Sequence, residues 1–179
     1  MAWTAPMTFV AGSVLTAAQL NTHLRDNLLE SAAAKATEQG GYFVTDSAHR
    51  IVERIGRRQT IVTEETTTST SYDDLATQGP TVTVQTGELA LALWSCEMRS
   101  SNSEPTTCRV TVDVTGASNI AGNDVRALTN STGAEGRHQS SHAVFFDDLT
   151  PGENTWTMKY RTSSGTATFQ RRRLIVLPY

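Results

Sequence analysis

The sequence predicts a mainly β protein, in which an N-terminal arm and a single amphipathic helix are followed by a small hairpin and a jelly-roll-like β-sandwich. Three observations carry this. Residues 66–179 hold many short, turn-bounded β-like runs. Several of these alternate strictly, such as Val110, Val112, Val114 and Trp156, Met158, Tyr160, with threonine or charge between them. One helix start alone is well signalled, near Thr16. The implied organisation is an attachment arm and helix over 1–40, a connecting hairpin and linker over 41–65, and a display domain over 66–179.

The arm contains Trp3, Pro6, Phe9 and Val10, apolar residues without periodicity and with too few neighbours for a core. Exposed apolar groups of this kind need another surface to cover them. Thr16 and Gln19 have the spacing of a capping box, and Leu15 and Leu20 that of the accompanying hydrophobic staple. Ala17, Leu20, Leu24 and Leu28 then recur at steps of three and four, which predicts a helix over 17–36 with one narrow apolar stripe. His23, Arg25 and Asp26 lie mostly off the stripe, as polar contacts for a docking partner. Gly40 and Gly41 end the helix. A narrow stripe with no second helix to cover it points to a partner, another copy of the chain included.

This opening, read as W-T-x-P-x-T-[FW]-V-A-G-x-V-[LV]-T-A-A-x-L-N-x-H-[LV]-R-D-N, resembles that of a family of virion structural proteins from tailed phages of actinobacteria. Those proteins are described as minor tail or fibre-like, and some sit on the capsid. The match runs from Trp3 and Thr4 to Arg25, Asp26 and Asn27, and departs at Ser13, where an acidic residue is expected. Segments around 41–55, 149–161 and 172–176 also resemble the family's hairpin and β domain. The resemblance implies a protein assembled in the host cytoplasm, carried on the exterior of the tail or head, and trimeric. Its partners would be itself, other virion proteins and host cell-surface glycan.

Tyr42-Phe43-Val44 and residues 50–55 read as a short hairpin, and 63–71 as a polar linker or edge strand. Strands are expected near 66–72, 80–86, 88–98, 108–115, 124–129, 140–146, 154–161, 166–170 and 172–177. The run from Leu89 to Trp94 is apolar on both faces, which places it centrally or at a subunit contact. Cys96 and Cys108 flank the 97–107 loop. If their strands form a hairpin, the thiols lie close enough for a disulfide, which would add up to ~3 kcal/mol around so short a loop. Assembly in a reducing cytoplasm leaves two buried thiols as the alternative.

Composition narrows the function further. The 179 residues carry a net charge of −3 without blocks of one sign, which argues against a nucleic-acid surface. No apolar run approaches the ~20 residues of a spanning helix, and no signal peptide or membrane insertion is expected. His138 and His142 read as solvated, and Asp73-Asp74 and Asp147-Asp148 as turn residues, so no metal or cofactor is expected. Arg171-Arg172-Arg173 is the single basic run, read as guarding an exposed sheet edge or meeting an anionic partner. Nucleophile-elbow, zinc-protease, P-loop and dinucleotide signatures are missing. The expectation is a non-enzymatic minor tail or fibre-type protein, with capsid decoration as the alternative and polysaccharide hydrolysis as the weakest reading.

Overall fold

The computed structural model describes residues 4–5, 7–8, 10–101, 106–132 and 136–179. The chain divides into two compact units, Met1–Ile55 and Gly56–Tyr179.

In the first unit the capping box forms as its spacing requires. The Gln19 N–H donates to Thr16 Oγ1 (3.2 Å) and the Thr16 N–H donates to Gln19 Oε1 (2.9 Å). From this cap α1 (Ala17–Leu20) runs through a π-helical segment, Asn21–Asp26, into α2 (Asn27–Leu29). The expected unbroken helix over 17–36 is interrupted there. The Ser31 hydroxyl donates to the Leu28 carbonyl (2.7 Å) and accepts from the Ala34 N–H (3.4 Å), so it competes with the helical ladder. A separate turn, α3 (Ala32–Lys35), follows. Strands β1 (Tyr42–Thr45) and β2 (Ile51–Arg54) then pair antiparallel. Asp46 closes their turn by accepting from the Ala48 and Arg50 N–H groups.

The second unit is a sandwich of two antiparallel sheets. Its strands are β3 (Arg57–Ile61), β4 (Glu65–Thr67), β5 (Thr81–Thr86), β6 (Ala90–Ser100), β7 (Thr106–Gly116), β8 (Leu128–Thr132), β9 (His138–Phe146), β10 (Gly152–Thr162) and β11 (Ala167–Pro178). One sheet has the order β5-β10-β7-β8; the other has β3-β11-β6-β9, with β4 also paired to β11. Alternation places Ala90, Ala92, Trp94 and Met98 of β6, Val110, Val112 and Val114 of β7, and Trp156, Met158 and Tyr160 of β10 in one core. Rings meet across the sheets: Tyr160 and Phe169 centroids are 5.0 Å apart, and Phe146 and Trp156 6.3 Å.

Several expected elements are redrawn. Residues 57–61, assigned to the connecting piece, form a strand of the five-stranded sheet, so the linker expected over 41–65 divides between the two units. The strand expected at 66–72 is only Glu65–Thr67, and that at 124–129 is a 3-10 turn, Asp124–Arg126, leading into β8. The strands expected at 166–170 and 172–177 are one strand with a bulge, where Arg171 has φ 49° and the register with β6 slips between Gln170 and Arg173. The extra residue flips the side-chain alternation, so Arg172 points inward. This strand is central rather than an edge, which removes the edge-guard role assigned to the three arginines.

Arg172 is fully buried, pairs with Glu65 (3.1 Å) and lies over the Tyr160 ring (5.5 Å). Glu65 in turn accepts from the Thr77 N–H and hydroxyl, fastening the loop before β5 to β4. Removing one member of a buried pair leaves the other charge uncompensated. Glu65→Ala is therefore expected to lower the unfolding free energy by roughly 3–5 kcal/mol, read from urea denaturation.

Candidate functional site

The attachment surface expected from the sequence falls on the first unit. Trp3, Pro6 and Phe9 lie outside the described residues. The other apolar members are uncovered: Val10 is 68% exposed, Leu24 57% and Leu28 60%, with Leu15 and Leu20 also exposed. No described residue of α1, the π segment or α2 is buried. Arg25 and Asp26 pair with each other (2.7 Å).

Asn27, absent from the expected site set, and His23, expected as a polar contact for a docking partner, organise this surface. The Asn27 side-chain amide pairs with the backbone of Thr4, its Oδ1 accepting from the Thr4 N–H (2.9 Å) and its Nδ2 donating to the Thr4 carbonyl (2.8 Å). One turn earlier the His23 ring Nδ1 meets the Ala5 carbonyl (3.2 Å). The Asn27 Nδ2 also donates to the His23 carbonyl (3.2 Å) within the widened π turn. Thr4 and Ala5 are thus held along the helix by polar bonds to their backbone, while Val10, Leu24 and Leu28 stay uncovered. Both residues belong to the quoted N-terminal motif, but a hydrophobic pattern gives them no weight.

The second unit carries two clusters of charge. On the five-stranded sheet Glu97 accepts from Arg137 Nη1 (3.1 Å), Arg171 Nη1 (2.9 Å) and the Gln170 amide. Arg137 also reaches Glu64 (3.0 Å), as does Arg99 (3.1 Å). Burial pushes the Glu97 carboxyl up, but the bonds from Arg137 and Gln170 and the charge of Arg171 outweigh it, leaving it below its ordinary value. Glu64 is lowered as well, chiefly by its bond from Arg137. On the other sheet Asp124 accepts from Arg161 and the Tyr72 hydroxyl (2.7 Å) and pairs with Arg109 (3.1 Å). Arg161 holds Asp124 below the carboxylate range, while burial and the bond to Asp124 push Tyr72 up to about 12.

Cys96 and Cys108 are both buried and unbridged. Their strands lie in different sheets, so the hairpin that would have juxtaposed them does not form. Burial pushes the Cys96 thiol up to about 12, and its Sγ–H has carbonyl acceptors at Glu97 and Gln170. His142 packs edge-on against Trp94 (5.2 Å). Trp94 and Trp156 are themselves core residues.

No family model matches the chain, and no curated protein sequence matches it. Among solved structures it is similar to a chain of the T13 IBDV viral particle, with 12% identity over 76% of this chain and 35% of that one, TM-score 0.46. It is similar to a chain of the infectious bursal disease virus Gx strain, with 8% identity over 72% of this chain and 34% of that one, TM-score 0.41. A third is the CBM22-1 xylan-binding domain from Paenibacillus barcinonensis, with 9% identity over 80% of this chain and 99% of that domain, TM-score 0.42. The chain spans about a third of the length of the two viral chains it matches.

The Glu97 cluster has a consequence for pH. Its folded-state value lies below the ordinary 4.5, so its contribution to stability is complete above that value and is lost as pH falls through the folded one. The melting temperature is expected to drop as pH falls below the ordinary 4.5, and less steeply in Glu97→Gln than in the parent. Calorimetry as a function of pH checks it.

Proposed function

We propose that this chain is a bacteriophage virion structural protein of the minor tail or fibre type. It is held on the particle by its N-terminal arm and helix and displays a trimeric β-sandwich outward. The observation that carries this reading is the arm–helix surface. Asn27 and His23 fix the arm on the helix, yet Val10, Leu24 and Leu28 remain exposed. A surface preorganised by hydrogen bonds and left apolar costs little to order on docking and gains burial there. The N-terminal motif supports the same assignment by its resemblance to phage virion proteins.

Display in several copies on one particle raises avidity for any ligand of the sandwich. Capsid decoration is the second reading, favoured by the burial of Trp94 and Trp156, which removes them as stacking platforms for sugars. The charge clusters support a non-catalytic role. Glycoside hydrolysis needs one carboxylic acid with a raised pKa beside a carboxylate. Glu64 and Glu97, which share Arg137, are both lowered.

Deleting residues 1–30 tests the reading. Every buried apolar side chain among the described residues belongs to the second unit, so the truncated protein is expected to keep a cooperative thermal transition. It is expected to be missing from purified particles, and Leu24→Asp with Leu28→Asp in the full chain to lower incorporation roughly 100-fold or more. Normal incorporation of the deletion variant, read by immunoblot of particles, overturns the attachment role.

A further inference from the structure

The outer face of the five-stranded sheet departs from the polar character expected of a solvated face. β6 contributes Leu91 and Leu93, β11 contributes Ile175 and Leu177, and β9 contributes Phe145. Register sets Leu93 beside Ile175 and Ala143, and Leu91 beside Leu177 and Phe145. The four aliphatic side chains are only half-buried, and Phe145 is 53% exposed. At one end Ser95, Ser141 and Arg173 close the strip into a groove of about 400 Å³ over Leu93, Ala143 and Ile175.

Charge is divided across this strip. Arg58, opposite Ile175 on β3, and Arg173 on β11 make one flank basic. Asp147, two residues beyond Phe145, and Glu88, two residues before Ala90, make the β9–β6 end acidic. All four are exposed, and among the described residues none has an ion-pair partner. An apolar strip with basic and acidic groups at different ends suits contact with a second copy, the basic groups of one meeting the acidic groups of the other.

We propose that this strip is the interface between copies of the chain, with Arg58 and Arg173 of one copy facing Asp147 and Glu88 of the next around a three-fold axis. The number of copies rests on the trimeric reading above; the location of the contact rests on the strip and its flanks.

Light scattering of the full chain at micromolar concentration tests it. The expected mass is three times 19.4 kDa. Leu93→Glu with Ile175→Glu is expected to give a monomer with an intact far-ultraviolet spectrum. Because those substitutions touch packed positions, a surface set supplies a second reading. Arg58→Glu with Arg173→Glu is expected to weaken association at least tenfold, and adding Glu88→Arg with Asp147→Arg to restore it. A monomeric parent overturns the proposal, as does an oligomer whose mass neither set changes, or failure of the fourfold charge exchange to restore association. A monomeric parent that binds an acidic polysaccharide through Arg173 also overturns it and gives the groove to a glycan. Incorporation of a monomer into particles would leave the attachment role standing, whereas a trimer absent from particles would sink that role alone.

Discussion

The structure depends on burial between two sheets whose inward positions are almost wholly apolar. Trp94, Met98, Phe169 and Leu174 from one sheet and Val110, Val112, Trp156 and Tyr160 from the other belong to a single core. Two polar side chains that enter that layer, Asn154 and Arg172, are tied to the loops beside it. Asn154 is buried, accepts from the Ser118 N–H (2.7 Å), and donates to the Thr86 hydroxyl (2.8 Å) and Thr150 carbonyl (3.0 Å), fixing the loops at one end of the sandwich. Arg172 performs the corresponding task on the loop before β5, with carbonyl acceptors at Thr77 and Gly79. An unpaired group at either position would forfeit its hydration without compensation. The inward half of each strand is therefore tightly specified, and the outward half is left to vary with function.

The two units obey different physics. The sandwich is stabilised by apolar burial, whereas the helical stretch of the N-terminal unit buries no described residue and is organised by caps and backbone hydrogen bonds. Helices this short are marginal in water without packing. Under the proposed attachment role, a partner surface would supply what the unit lacks.

The parts of the fold that were legible in the sequence are those set by local spacing. Thr16 and Gln19 announce their cap directly, and the alternation of Val110–Val114 and Trp156–Tyr160 announces buried strands. The rest depends on relations that spacing does not carry. β3 reads Arg-Arg-Gln-Thr-Ile, and it is a strand only because β11 offers it a ladder. Arg172 looks like surface charge until the bulge at Arg171 reverses the alternation. Ser31 sits among good helix formers, and only its two backbone bonds reveal the break. At the candidate site the apolar stripe was readable, but the clamp by Asn27 on Thr4 joins residues 23 apart and has no periodic signature.

The proposed attachment by the first unit and display by the second require that the sandwich lie on the outside of the particle. Immunogold labelling of intact particles with antibody raised against residues 66–179 addresses it directly. Gold is predicted on the particle exterior, concentrated at the tail; label scattered over the head would transfer the protein to capsid decoration. Intact particles that carry no gold, while antibody against a known surface protein labels them, would contradict the account.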